Sequence, residues 1–561
     1  MKLENLLLLI ILIIVVLLII YFLTCEKVEP CGDSDWTQYG KELSLNRRGC
    51  ESKIGPHNVD QLTEKWSFLP GDRYPGFSPF EYTGISVEGN YGYFANLTPY
   101  GGGDAVATKV DVRDGSIVWS QGTFLDAGSN FDGGIRFQPA IGKDYVYYGL
   151  RGFDVDPKVI ALKKCDGSFV WEASLQLNPA VTTGFSQPTS PIIYVEEDNI
   201  VIQACVAIEG NTFGSVQAFD ATTGQQLWGF KTTEGTMTGI NEGGPGVSIF
   251  GPGAVDTKRK LVYYGTGQNF DGPASDLQDS LIALNYLTGE FVWSRQFTVD
   301  DIETVPPLKN WDVSGGPHLD RLYIDGHWRD VVIVGSKEGK LYVLDRDSDT
   351  TEGVLYREHV IHPPAPAGSD NQGFNYAGCT DGHYWYFTIM YSTDGQSVGA
   401  GNGFAAPEDI NINTAVVKID PVDGSMLWHT PFIGPSLGGL AYANGVLYFN
   451  ILQGPRSLDL TEPINPVGTS LNAVSAEDGS ILKRIHIGDL LGVEGSANLV
   501  AAGGPVVISD GTVYSGNGLG LFAYATDVPD PVLPPCPAGR KVQAGQGLPS
   551  CEVDKIVQNY E

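Results

Sequence analysis

The stretch "LIALNYLTGEFVW" (281–293) alternates apolar and polar residues, turns at Thr-Gly and ends in tryptophan. That pattern is a half-buried strand, a tight turn and a second strand. The phrase returns as "VATKVDVRDGSIVW" ending at Trp119, "VIALKKCDGSFVW" at Trp171, "VQAFDATTGQQLW" at Trp228 and "AVVKIDPVDGSMLW" at Trp428. Two frayed copies are "KLYVLDRDSDTTEGVLY" (340–356) and "LNAVSAEDGSILKRI" (471–485). The turn glycines Gly115, Gly167, Gly224, Gly289, Gly353, Gly424 and Gly479 lie 52 to 71 residues apart. That period suits a four-stranded antiparallel blade with one long loop, and blades arrayed radially make a β-propeller. A tryptophan at one fixed place in the phrase implies a repeated blade-to-blade contact, so these tryptophans are structural. "GTVYSGNGLGLFAYATD" (511–527) and "VDQLTEKWSFLPG" (59–71) supply strands for one more blade. Joining both chain ends in it would close the ring and remove its edges. The expectation is an all-β, eight-bladed propeller over 59–527, with seven blades as the alternative.

Few methionines (four) but 71 glycines, 34 prolines and 26 tyrosines fit turns and aromatic strands rather than helices. A net charge of −31 repels phosphate backbones, which excludes nucleic acid as a partner. Residues 6–23, "LLLLIILIIVVLLIIYFL", form an unbroken apolar run. As a helix these 18 residues would span about 27 Å, near the thickness of a bilayer core. Residues 1–24 are therefore expected to be an N-terminal transmembrane anchor, with a cleaved signal peptide and then a lipoprotein signal as the alternatives. Residues 25–58 follow as a linker and N-terminal segment, and 528–561 as a Pro/Gly-rich tail. Cysteines crowd both ends, with Cys31–Cys50 and Cys536–Cys551 as candidate disulfides. Such bridges imply an oxidising, extracytoplasmic compartment. Cys165, Cys205 and Cys379 are expected to be free thiols. No C-x-x-C pair and no histidine cluster supports a zinc site.

The blade phrase, read as A-L-D-x-x-T-G-x-x-x-W, resembles that of the quinoprotein alcohol dehydrogenases, above all the polyvinyl-alcohol-dehydrogenase-like proteins with pyrroloquinoline quinone (PQQ) repeats. The opening "DWTQYGKELSLNRRGCESKIGPHNVDQLTEKWSF" is similar to their N-terminal segment, and the likeness runs over roughly residues 35 to 527. It implies PQQ and calcium as cofactors, with an alcohol, small or polymeric, as the substrate. By the resemblance "KNWDVSGGP" (309–317) carries the catalytic base Asp312, also a metal ligand, with Trp311 at the cofactor. "ACVAIEGNTFGSVQAFD" (204–220) carries the metal ligand Glu209, and "YYGTGQNF" (263–270) offers Gln268 or Asn269 where the family has asparagine. "SKEGKLYVLDR" (336–346) places Lys337 at the quinone, and Phe250 stands where the family stacks tryptophan. Ser314 replaces the additional Asp of lanthanide-using relatives, which favours calcium.

Two family features are missing. There is no Cys-Cys pair, and no C-x-x-C-H haem motif, so electrons would need an external acceptor. His359 and His362 lie in a proline-rich segment without a third ligand. The alternative function, from another class, is a membrane-anchored, non-catalytic propeller that binds protein or polysaccharide and has a degenerate cofactor site.

Overall fold

The structure is a computed structural model. It describes residues 34–526 apart from 69–80, 83, 99–105, 123–132, 136, 153–155, 178–185, 208–211, 234–243, 308, 349, 363–371, 393–411, 437, 455–467, 490–503 and 518–519. The expected anchor and tail lie outside the described residues. Among those described, no helix is long and apolar enough to cross a membrane, and the only helix is the 3-10 turn Val59–Gln61.

Eight antiparallel four-stranded blades follow one another along the chain. Their innermost strands are Ser86–Glu88, Ala140–Ile141, Ile193–Val195, Ala254–Asp256, Pro317–Ile324, Cys379–Thr380, Ala441–Ala443 and Val507–Ser509. The eighth blade is built from both ends as expected: its outermost strand, Thr63–Phe68, pairs with Gly520–Ala525. Each repeat phrase forms the two outer strands of a blade. In the phrase at 281–293 the Asn285 carboxamide oxygen accepts the N–H groups of Leu287 (2.9 Å) and Thr288 (3.2 Å). Gly289 then turns the chain at φ +77°, a left-handed conformation that favours glycine.

Those turn glycines have a second duty. A β-carbon on Gly115, Gly167, Gly224, Gly289, Gly353 or Gly479 would lie 2.6 to 2.8 Å from the indole of Trp66, Trp119, Trp171, Trp228, Trp293 or Trp428 in the preceding blade. Four of these indoles also donate Nε1–H to a carbonyl of the next blade: Trp66 to Val112 (2.9 Å), Trp119 to Lys164 (3.1 Å), Trp171 to Ala221 (3.1 Å) and Trp228 to Tyr286 (2.9 Å). In the frayed copy His359 takes the indole's place. It packs on Gly424 and bonds the Pro421 carbonyl through Nε2 at 3.1 Å. His359 is therefore a docking residue of the ring.

Residues 36–51 touch the innermost strand or first hairpin of every blade in turn. Trp36 bridges Val87; Thr37 accepts from Ile141, Gln38 from Tyr194, Leu43 from Val255, Ser44 from Leu319 and Asn46 from Thr380. Arg48–Gly49 pairs in parallel with Tyr442 and Ala443, and Glu51 accepts from Gly511 in the last blade. The Arg47 guanidinium is fully buried and bonds the carbonyls of Tyr39, Leu440 and Val506. Leu45 sits under Gly316 and accepts a 2.7 Å bond at its carbonyl from His318 Nδ1. The other ring nitrogen, Nε2, accepts the Gly378 N–H at 3.2 Å, so the imidazole is neutral. Cys50 is disulfide-bonded; its candidate partner Cys31, with Cys536 and Cys551, lies outside the described residues. Cys205 and Cys379 are buried thiols and Cys165 is a half-buried thiol, none of them in a disulfide.

Two predictions follow from the packing. Gly224→Ala is expected to cost about 2–4 kcal/mol, from left-handed strain plus collision with Trp171. In a Trp171→Ala background it should cost only the strain, about 1–2 kcal/mol; equal costs in both backgrounds, by urea unfolding, would show that the indole contact is absent. The second concerns His318, whose pKa burial lowers to about 4. The unfolded chain binds that proton near pH 6.5. Stability is thus intact above that pH and falls with acidification, by about 2 kcal/mol at pH 5. The loss between pH 7 and pH 5 should shrink by that amount in His318→Gln.

Candidate functional site

In an antiparallel meander the second-to-third-strand loops and the blade-to-blade connections share one face. Gln268 lies in such a loop of the fourth blade, between Leu261–Gly265 and Ser280–Asn285. Lys337 lies in that of the fifth, between His327–Gly335 and Lys340–Asp345. Asp312 lies on the connection joining these two blades, and Phe250 on the connection before them. The glycines of "GTGQN" allow the close approach. A β-carbon on Gly265 would collide with the Val313 carbonyl, and one on Gly267 would lie 2.7 Å from Asp312 Oδ1. The Asp312 loop is then stitched down by Val313 N–H to Thr266 (3.0 Å) and Lys337 N–H to the Asp312 carbonyl (2.9 Å).

The Asp312 carboxylate is buried. Its Oδ2 meets Lys337 Nζ at 2.6 Å and its Oδ1 accepts the Gln268 N–H at 3.1 Å. Lys337 Nζ also donates to Asn310 Oδ1 (2.9 Å) and stands 5.9 Å from the centre of the Phe250 ring. An ion pair removed from water in this way is costly unless its hydrogen bonds are complete, and here the partners are supplied on both sides. Phe250 is 40% exposed, a large apolar ring left open beside a buried lysine.

Gln268 is buried and donates Nε2–H to Glu303 at 3.1 Å, while its carbonyl oxygen Oε1 has no partner. The indole N–H of Trp311 and the Oε1 of Gln372 are likewise buried and unpartnered. Orphaned polar atoms of this kind are few in native proteins and call for a ligand, water or ion. Three of them on loops around Asp312 fit a polar-edged group, and the Phe250 face fits a flat one. For a metal the fit is narrower. Gln268 Oε1 and Asp312 Oδ1 are suitable oxygens, but no group of three His, Cys, Asp or Glu able to hold an ion occurs among the described residues. Glu209 lies outside them.

Of the expected residues, Asp312, Lys337, Phe250, Trp311 and Gln268 thus come from four loops and connections to one place. Asn269 is placed otherwise. Its carbonyl oxygen accepts the Ser275 N–H (2.8 Å) and its amide donates to the Gly244 carbonyl (2.9 Å), so its polar ends tie loops together. Ser314 Oγ turns to Phe374 and Asn375. The sequence reading missed Asn310, Glu303 and Gln372. Asn310 adjoins the Trp-Asp pair, but its role depends on a φ of +51° that no motif displays.

The family described as "Glucose/ethanol/alcohol dehydrogenase, beta-propeller domain" (PQQ) matches residues 36–351. The quinoprotein glucose dehydrogenase of Escherichia coli (strain K12) is 25% identical over 374 residues, covering 57% of this chain and 43% of that protein. A polyvinylalcohol dehydrogenase of Pseudomonas sp is 23% identical over 374 residues, covering 63% of this chain and 55% of that protein. The chain thus spans about half the length of these relatives. The crystal structure of the quinohemoprotein alcohol dehydrogenase of Comamonas testosteroni shares the fold, with a TM-score of 0.63 at 18% identity over 88% of this chain and 80% of that one. The repeat phrase, the eight blades and a family match over more than half of the chain agree: this protein belongs to the PQQ glucose/ethanol/alcohol dehydrogenase β-propeller family.

Proposed function

We propose that the protein is a PQQ-dependent oxidoreductase that oxidises an alcohol and passes the electrons to an external acceptor. The observation that carries this reading is the buried Asp312–Lys337 pair, set among unpartnered polar atoms and an open aromatic face. The bound quinone would supply the hydride acceptor. Asp312 would take the hydroxyl proton at Oδ1, the oxygen held only by the 3.1 Å N–H of Gln268. Lys337, held on Oδ2 at 2.6 Å, orients the carboxylate so that Oδ1 is the oxygen turned to the substrate. Phe250 and Trp311 would flank the quinone, and Gln268 Oε1 would meet a polar atom of it or of the cation beside it. Calcium is part of the same proposal, with Asp312, Gln268 and Glu209 as its oxygen donors and Asn269 bracing the loop. A non-catalytic propeller would gain nothing by retaining a buried ion pair, since an apolar pair of similar volume is often as stable. The apolar run at 6–23 supports a membrane anchor, with the propeller on the extracytoplasmic side.

The test is titration of the metal-free, full-length protein in detergent with PQQ, with and without calcium, followed by alcohol-dependent dye reduction. Calcium-dependent quinone binding with turnover is expected. Asp312→Asn should lower kcat by about 10²–10⁴. A folded protein that binds no quinone at high concentration would overturn the reading. Independently of activity, Lys337→Met should destabilise the fold by about 3–5 kcal/mol, because it leaves Asp312 buried and uncompensated. Adding Asp312→Leu should restore most of that loss, as measured by urea unfolding.

A further inference from the structure

Gln268 turns an oxygen, not an amide group, to the open side of the site, and a residue with no part in the proposed chemistry decides that. A glutamine carboxamide is nearly symmetric in shape, with an oxygen that accepts and an NH2 that donates. Its last torsion is broad and roughly two-fold, so the end that faces a ligand depends on what the other end meets. The backbone N–H of Gln268 goes to Asp312 Oδ1 (3.1 Å), and its side-chain Nε2 donates to the carboxylate of Glu303 at 3.1 Å. An ionised carboxylate only accepts, so the end that meets Glu303 must be the NH2. Oε1 is thereby turned away from Glu303. Gln268 is 6% exposed, and no group of the described residues donates to that oxygen.

Glu303 is brought to Gln268 by paired backbones. Residues 301–304 run beside residues 269–271. The Asn269 N–H donates to the Asp301 carbonyl (3.1 Å), the Glu303 N–H to the Asn269 carbonyl (3.0 Å) and the Thr304 N–H to the Phe270 carbonyl (3.2 Å). Thr304 Oγ1 adds a bond to Asp271 Oδ1 at 3.0 Å. The loop that carries Gln268 is closed in turn by the Asp279 N–H on the Gly267 carbonyl (3.2 Å). Because the carboxamide of Asn269 is taken up by Ser275 and Gly244, Gln268 is the amide of this pair that a ligand can use.

We propose that Glu303 is a positioning residue that holds the Gln268 carboxamide with its oxygen forward. The place beside Asp312 then takes a hard cation or an N–H donor, and a bare acceptor such as a quinone carbonyl is repelled there. That the occupant is calcium beside a quinone rests on the dehydrogenase reading, whereas the orientation of the amide does not.

The experiment uses the full-length, metal-free protein in detergent, with PQQ and calcium as the probes. It reads the calcium concentration that gives half-maximal quinone binding, followed by quinone absorbance without turnover. Glu303→Leu is expected to raise that concentration about 10–100-fold, the usual effect of removing the partner that orients a ligand. Gln268→Glu alone should raise it as well, because it sets a second carboxylate against Glu303. Adding Glu303→Gln to Gln268→Glu should return it to within about threefold of wild type. The new amide at 303 then donates to the new carboxylate at 268, whose other oxygen stays forward. A merely structural Glu303 would not be rescued by this exchange. A value for Glu303→Leu within about threefold of wild type, or an exchange no better than Gln268→Glu alone, overturns the proposal. If Glu303→Leu does not fold, the exchange against Gln268→Glu decides. Urea unfolding needs neither probe: the losses in Gln268→Met and Glu303→Leu should sum to more than the loss in the double variant, since each removes the same bond. Additive losses overturn the proposal. If the wild type binds no quinone, the dehydrogenase reading fails, and the unfolding cycle still decides the orientation.

Discussion

The molecule depends on the closure of a ring. Each blade has its own paired strands but buries its apolar faces only against neighbours, so an open row of blades would leave two faces and two edges in water. Closure is enforced twice. Thr63–Phe68 completes the last blade from the other end of the chain, and Trp66 on that strand docks on Gly115 of the first. The segment from Trp36 to Glu51 adds a second constraint, because one short stretch holds all eight innermost strands or their hairpins to a common register. That stretch also bears on the site. Leu45 sits under Gly316, two residues beyond Ser314, so the connection that carries Asp312 lies close to the N-terminal segment.

The site is a consequence of where loops meet. Asp312 and Lys337 are 25 residues apart and on different elements, and neither has a local reason to be buried. They are brought together because two neighbouring blades each send a loop to the same face and the strand glycines let those loops touch. The charge of Lys337 is spent within the site, on Asp312 and Asn310, rather than in water. This arrangement is stiff, because almost every polar contact it makes is to backbone or to another fixed side chain. Gln268 Oε1 is the buried oxygen beside Asp312 that the protein itself leaves without a donor.

The blades were legible in the sequence because most of them repeat the same turn chemistry and five of the phrases end in the same tryptophan. The frayed copies were legible as strands but not as contacts. Nothing in "EHVIHPPAPAG" shows that His359 would occupy the tryptophan's slot, since that depends on which glycine of the next blade faces it. Asp312 and Lys337 were legible through the likeness of their surrounding segments to a known family. The choice between Gln268 and Asn269 was not, because adjacent residues on a loop point in different directions and only tertiary contacts decide which is consumed by structure. Asp279 and Asp301 were invisible for a related reason. In a chain with 66 acidic residues, one more aspartate carries no signal until its burial is known.

That burial sets the electrostatic problem at the site. Asp279, Asp301 and Asp312 are all shielded from solvent, and Lys337 is the cation acting on Asp279 from close by. Each buried carboxyl without a donor or cation beside it is costly, by several kcal/mol when ionised. The structure distributes the charge by donor number. Asp312 has the ammonium and one N–H, Asp301 has two N–H groups, and Asp279 has none. A hydrogen-bond count therefore separates the three acids: donors meet Asp312 and Asp301, whereas neither side-chain oxygen of Asp279 has a partner. The rule behind the arrangement is that a buried carboxyl is stable as an anion only where the backbone or a cation meets it, and Asp312 has both.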